Sequence, residues 1–247
     1  MQITDVAVAT ITWARDHEEE QLLRDALTQL AAHNIPVFIC DGGSPQAFID
    51  FLNGFENFTV VESKVRGLWG QVHTSLKAAS QSGRTFIFYT EPDKEAFFRE
   101  SLAGFLMDAS PDAHTGIVLA SRSAGAFSTF PEFQQKTETT INFCCTEVIK
   151  QELDYTYGPF LLTRELIPYF SRLPDSIGWG WRPFAFVLAH KLGFKVRSQP
   201  GEFNCPEPQR SDDASERLYR MRQLAQNIEG VLEAASFQLK PGNSAGE

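Results

Sequence analysis

The stretch Phe86-Ile87-Phe88-Tyr89-Thr90-Glu91-Pro92-Asp93-Lys94-Glu95 decides how this chain reads. An apolar, aromatic-rich run stops abruptly and gives way to two carboxylates flanking a proline, with a lysine beside them. A short apolar run bounded by polar punctuation reads as a strand buried on both faces. Pro92 continues neither a sheet nor a helix interior, so Glu91 and Asp93 fall in a tight turn at the strand's carboxyl end. Open α/β sheets hold their ligands at that edge. Two hard oxygen ligands there suit Mg2+ or Mn2+ and, through it, a diphosphate. The turn reads equally as a solvated acidic start to a helix over 94–107, because carboxylates suit a helix N-terminus.

Working outward, strands alternate with helices on both sides of this stretch. Apolar runs at 6–11, 36–40, 58–61 and 116–120 read as strands, and the spacing of Leu22, Leu23, Ala26, Leu27 and Leu30 predicts a helix over 18–33. That alternation is the pattern of a mostly parallel central sheet with right-handed crossovers, flanked by helices. The second strand closes in Asp41-Gly42-Gly43-Ser44, whose glycines permit close backbone approach and whose aspartate can accept several hydrogen bonds. The third is followed by the basic, glycine-punctuated loop Lys64-Val65-Arg66-Gly67, which opens a helix running to about residue 80. Backbone N–H groups in such a loop can face an anion, although it also serves as an ordinary strand-to-helix turn.

The second half changes character. A Ser-, Gly- and Phe-rich loop spans 121–132, helix is expected over 133–150, and a further strand over 160–163. The loop Gly178-Trp179-Gly180-Trp181-Arg182 precedes Pro183, which suits the first turn of a helix reaching residue 192, and a last short strand covers 194–196. An amphipathic helix over 211–235 carries Leu218, Met221, Leu224, Ile228 and Val231 on one stripe, read as packing on the domain. The expected organisation is a single domain over 1–237, made of a first half (1–120), a second half (121–210) and a packing helix (211–237), then a flexible tail over 238–247.

The formal net charge of -9 argues against nucleic acid or an acidic membrane surface as the partner. An anionic substrate therefore needs local neutralisation. Cys40, Cys144, Cys145 and Cys205 form no CxxC pair, so neither a zinc site nor a disulfide framework is indicated, and a reducing, cytoplasmic setting is expected. The short apolar run before Arg15-Asp16 is not expected to be a signal peptide, and no window approaches the length of a transmembrane segment.

A first strand with a polar loop, a second closed by Asp41-Gly42-Gly43-Ser44, a basic loop before a helix, then strand–Thr90–Glu91-Pro92-Asp93: together these resemble a GT-A fold glycosyltransferase of the family 2-like group, over roughly residues 6–197. The resemblance implies the GT-A (nucleotide-diphospho-sugar transferase) fold and transfer of a sugar from a nucleotide-diphospho-sugar to a hydroxyl acceptor. It implies a Mg2+ or Mn2+ ion on Asp93 and Glu91, in the place of the family's Asp-x-Asp motif. It makes 1–120 a nucleotide-binding half, with donor contacts implied from Thr10, Trp13, Arg15, Asp41, Lys64, Arg66, Gly67 and Glu91, and 121–210 an acceptor-side half, with acceptor contacts implied from Trp179, Trp181 and Arg182. Two departures stand out. The first carboxylate is a glutamate, and Trp181-Arg182 stands where many inverting members carry the Glu-Asp pair that supplies the base. A late histidine ligand is also absent; His190 lies within an apolar helix. Asp154 and Asp175 are the candidate bases for an inverting reaction, whereas a retaining one needs none. A nucleotidyltransferase would want glycine in the first loop, where Thr12-Trp13-Ala14-Arg15 has none; a non-catalytic nucleotide- or sugar-binding module is the other alternative.

Overall fold

The computed structural model describes residues 5–238; the tail expected at 238–247 lies, but for its first residue, outside the described residues. The first half runs β1 (Val6–Thr12), α1 (His17–Ala31), β2 (Val37–Asp41), α2 (Gln46–Asn53), β3 (Phe58–Val61), α3 (Leu68–Gln81) and β4 (Phe86–Tyr89). It continues through α4 (Glu95–Glu100), α5 (Leu102–Ala109), β5 (Thr115–Arg122), α6 (Ala124–Phe127) and α7 (Glu132–Ile149). The remainder is β6 (Phe160–Thr163), α8 (Ile167–Phe170), α9 (Trp181–Lys191), β7 (Lys195–Gly201) and α10 (Ala214–Ser236).

Seven strands form one sheet in the order β3-β2-β1-β4-β6-β5-β7. The pairs β1–β2, β1–β4, β2–β3 and β5–β7 are parallel, while β6 runs antiparallel to both β4 and β5. Because strand side chains alternate between faces, each central strand feeds two cores. Ala7, Ala9, Ile87, Tyr89 and Phe160 join the layer of α3, α8 and α9. Val6, Val8, Phe88, Val118 and Leu161 join the layer of α1, α2, α4 and α5. This double burial is why the 86–89 run has no polar alternation.

Several elements depart from the sequence expectation. The helix expected over 94–107 breaks at Ser101, whose φ of -123° leaves the helical region, so α4 and α5 form two short helices instead. Helix α9 begins at Trp181, two residues before Pro183, which sits inside its first turn. Strand β7 runs to Gly201 and includes Pro200, which is tolerated because β7 is an edge strand.

Strands β1, β2, β3 and β4 are parallel, so their carboxyl ends share one edge of the sheet. The chain steps from β1 outward to β3 and then returns to β4 on β1's other side. That reversal opens a crevice between β1 and β4, the place where doubly wound sheets bind ligands. Helix α10 closes the far side. Gly230 meets Gly180 with so little space that a Cβ built at 230 would lie 1.8 Å from the Gly180 carbonyl oxygen. This crossing brings Tyr219, Arg220, Gln223 and Asn227 of α10 over the crevice.

Candidate active site

The loops that follow β1, β2, β3 and β4 line a cleft of about 1180 Å3, with α7 and α10 as the opposite wall. That volume exceeds an ordinary small-ligand pocket, leaving room for two substrates side by side.

The loop after β2 is built around Asp41. Its Oδ1 accepts from the N–H groups of Gly43 (2.8 Å) and Ser44 (2.7 Å), and its Oδ2 from the hydroxyls of Thr12 (2.7 Å) and Ser44 (2.6 Å). An ionised carboxylate offers about four acceptor sites, so Asp41 is occupied by its own turn and by the end of β1. The Ser44 hydroxyl oxygen also accepts from the Ala14 N–H at 2.7 Å, binding the loops after β1 and β2 together. Trp13 stands on this platform, half exposed at the cleft, with the Arg15 guanidinium 5.7 Å from its ring centre. Arg15 is itself paired with Glu19. Arg66 and Gly67 line the cleft from the loop after β3; exposed Lys64 does not. Thr10 is wholly buried below, its hydroxyl donating to the Thr90 carbonyl at 2.8 Å, so it braces β1 against the acidic turn.

At the end of β4 the carboxylates lie in the cleft. Arg182 of α9 donates from Nη1 to Glu91 Oε1 at 3.0 Å. Gln209 donates to Asp93 Oδ2 at 2.9 Å, and Lys94 stands 3.8 Å from Asp93 Oδ1. Among the described residues, five buried side-chain polar atoms have no hydrogen-bond partner: Tyr89 Oη, Glu91 Oε2, Asp93 Oδ1, Trp181 Nε1 and Arg182 Nε. All belong to the end of β4 and the start of α9. An unpaired buried polar atom costs about 1–3 kcal/mol, so five at one place mark a site organised for something it binds. Burial and the charge of Glu91 push the Tyr89 hydroxyl's pKa well above its ordinary value, keeping it a neutral donor.

Glu91 is aimed by the loop entering β6. Gly158 there has φ 131°, and a Cβ at that position would come within 2.1 Å of Glu91 Oε2. Glycine at 158 is thus required twice, by its backbone and by the carboxylate beside it.

The acceptor-side residues fare unevenly. Trp179 lines the cleft, its Nε1 donating to the Tyr219 hydroxyl at 3.0 Å and its backbone N–H to Gln226 Oε1 at 3.2 Å. Trp181 is fully buried, packed edge-on against Tyr89 at 4.6 Å and beside Phe160 and Trp69. It offers no face to an acceptor, because the first residue of α9 points into the core. Asp175 is exposed at the start of a 3-10 turn (Asp175–Gly180) and is absent from the cleft wall.

Asp154 belongs to a buried charge network that the sequence did not disclose. It accepts from Arg122 Nε at 2.7 Å, Nη2 at 2.9 Å and the Arg122 N–H at 3.0 Å, and also from Thr156 and Asn142. Burial works to raise its carboxyl, but the hydrogen bonds and charge of Arg122 outweigh that and hold it at about 2. Arg122 also pairs with Glu138 of α7 at 2.7 Å, and its guanidinium lies over Phe127 and Phe130. A carboxylate so held is a poor proton acceptor at neutral pH. The clue available in sequence was an arginine ending the otherwise uncharged β5 run, which demands a buried partner.

Glu91 Oε2 and Asp93 Oδ1, neither of which accepts a hydrogen bond, suit a divalent ion as two of its oxygen ligands. No group of three His, Cys, Asp or Glu able to hold a metal gathers among the described residues. Any further ligands would be oxygens of other kinds, such as backbone carbonyls, water or a bound anion, as suits Mg2+. No helix among the described residues is long and apolar enough to cross a membrane.

No protein-family model matches the chain, and no curated protein does. Solved structures do match in shape. Mannosyl-3-phosphoglycerate synthase from Rubrobacter xylanophilus superposes with a TM-score of 0.64 at 14% identity, over 96% of this chain and 77% of that one. Glucosyl-3-phosphoglycerate synthase from Mycobacterium tuberculosis, in complex with uridine-diphosphate, gives 0.63 at 15% identity, over 95% and 81%. The same synthase with Mn2+, uridine-diphosphate-glucose and phosphoglyceric acid gives 0.62 at 14% identity, over 92% and 79%. The resemblance read from the sequence is borne out at the level of architecture: the chain has the GT-A fold of these glycosyltransferases.

Proposed function

We propose that this chain transfers a sugar from a nucleotide-diphospho-sugar to a hydroxyl acceptor. The observation that carries the reading is the cluster of unpartnered polar atoms on Glu91, Asp93, Arg182, Tyr89 and Trp181. Its cleft-lining members, Glu91, Asp93 and Arg182, lie at the β1–β4 crevice of a fold whose solved relatives were crystallised with uridine-diphosphate and Mn2+.

In this reading Trp13 supports the base from the loop after β1, and the Asp41 turn fixes the shape of the nucleoside end of the cleft. Arg66, a cleft cation without an ion pair among the described residues, faces the phosphates. Glu91 and Asp93 would hold Mg2+ or Mn2+, which supplies positive charge to the departing diphosphate. Arg182 and Lys94 stand on the same two carboxylates and add charge-assisted hydrogen bonds to phosphate oxygens. Trp179 and the polar face of α10 receive the acceptor.

Stereochemistry follows from the carboxylates. An inverting reaction needs a free base beside the acceptor hydroxyl. Asp154 and Glu138 are tied to Arg122, Glu216 to Arg220, and Asp175 lies outside the cleft. The wall favours retention of configuration, which the anomeric proton coupling of the product would report.

The Glu91–Arg182 ion pair favours a second reading, a nucleotide-sugar-binding module without chemistry, since the pair already neutralises the carboxylate charge that a metal would need. Titration of UDP- and GDP-sugars with and without Mn2+, followed by assay of slow donor hydrolysis, separates the two. Metal-strengthened binding with hydrolysis supports transfer. Binding indifferent to the metal, with the donor intact, supports the module.

A further inference from the structure

Six cationic side chains line the cleft: Arg15, Arg66, Lys94, Arg122, Arg182 and Arg220. Six carboxylates face them: Glu19, Asp41, Glu91, Asp93, Glu138 and Glu216. The cleft wall is therefore formally neutral, and its charges are paired unevenly. On the wall made by β5, α7 and α10, every cation is engaged. Arg122 holds Asp154 and Glu138, each at 2.7 Å, and Arg220 holds Glu216 at 2.8 Å with Glu138 at 3.9 Å. On the opposite side, Arg66 carries no ion pair among the described residues, and Lys94 and Arg182 rest on the carboxylates assigned to the metal. With a divalent ion held on those two carboxylates, Lys94 and Arg182 would be free to pair with a diphosphate's two negative charges. Nothing comparable is available to an anion on the α7–α10 wall.

What that wall does present is neutral hydrogen-bonding capacity. Asn227 donates its amide to the Gln223 carbonyl at 2.7 Å, and Gln134 donates to Glu138 at 2.7 Å. Neither side-chain carbonyl oxygen accepts a hydrogen bond from the described residues, so each can accept from a hydroxyl. The Tyr219 hydroxyl and the Trp179 ring stand beside them in the cleft. An indole face with amide acceptors suits a polyhydroxylated ring.

Resting on the transferase reading, we infer that the acceptor is an uncharged, polyhydroxylated molecule such as a sugar, and that phosphorylated acids are excluded. The solved relatives that bind phosphoglyceric acid share the fold, but this wall has already spent its arginines on its own carboxylates. A phosphate placed there must either displace a desolvated partner or sit beside Glu138 and Glu216 with no cation of its own.

The test uses the full chain with UDP and Mn2+ present. Binding of methyl α-glucoside, of its 6-phosphate and of 3-phosphoglycerate is measured by ligand-observed NMR, with transfer from UDP-glucose assayed in parallel. The neutral glucoside should bind at least tenfold more tightly than either anion. Glu216→Gln, a partly exposed substitution that removes Arg220's nearer partner, should improve binding of the 6-phosphate at least threefold and leave UDP binding unchanged. A wild-type protein that binds the 6-phosphate or 3-phosphoglycerate as well as the glucoside overturns the inference. So does a Glu216→Gln variant with unaltered discrimination. Loss of UDP binding in the wild type would instead condemn the transferase reading, so the two failures are distinguishable.

Discussion

Replacing Asp154 by asparagine should cost the fold about 3 kcal/mol while leaving nucleotide binding in place. The carboxylate is almost fully buried and receives three hydrogen bonds from Arg122, with Thr156 and Asn142 completing its surroundings. Breaking one side of a buried ion pair costs about 3–5 kcal/mol. The lower figure applies because Glu138 remains at 2.7 Å to hold Arg122. The proton linkage gives a second, independent magnitude. The Asp154 carboxyl lies near 2 in the folded protein against an ordinary 3.8, a depressed value. Its stabilisation is therefore complete above the ordinary value and is lost as pH falls through the folded one. About 2 kcal/mol should disappear between pH 4 and pH 2, and Asp154→Asn should lack that component of the acid transition. Urea unfolding at pH 7 and along an acid series measures both. If the variant is as stable as the wild type yet binds donor and fails to transfer sugar, Asp154 is the catalytic base and its assignment to a structural network is refuted.

Arg66→Ala should weaken UDP-sugar binding about tenfold, the worth of one charge-assisted hydrogen bond to phosphate, with unfolding unchanged; calorimetric titration of UDP measures it. Gly158→Ala forces a Cβ to within 2.1 Å of Glu91 Oε2 and a side chain onto φ 131°. It should displace the Glu91 carboxylate and lower the Mn2+ dependence of UDP binding at least fivefold, read from UDP titrations across a Mn2+ series. Asp175→Asn, altering an exposed side chain outside the cleft, should leave the transfer rate within twofold of wild type in a coupled UDP-release assay.

The parts of the fold that were legible in the sequence are those written in short-range pattern. The 86–89 strand and its proline-centred turn appear where an apolar run meets Glu91-Pro92-Asp93, and β3 and β6 fall on their expected residues. Strand direction carries no such mark: Phe160–Thr163 reads the same whichever way it runs, so the antiparallel insertion of β6 between β4 and β5 emerged only from the structure. Trp181 misleads for a related reason. Its glycine-rich neighbours read as an open loop, but Gly178, at φ 51°, turns the chain so that α9 starts at Trp181 with the indole inward. The Arg122–Glu138–Asp154 network was hidden because its members are distant in sequence and are joined only when β5 meets α7. Gln209 was missed likewise: nothing local to a proline-rich turn announces an amide bound for Asp93.

In the proposed reading Asp93, with Glu91, would hold a divalent ion against a nucleotide's diphosphate. Titration of UDP into wild type and Asp93→Asn, each with and without Mn2+, tests it most directly. Mn2+ should tighten UDP binding to the wild type at least tenfold and have no effect on a variant whose far-UV spectrum and unfolding midpoint are preserved. A folded Asp93→Asn protein that keeps the full metal enhancement would contradict it.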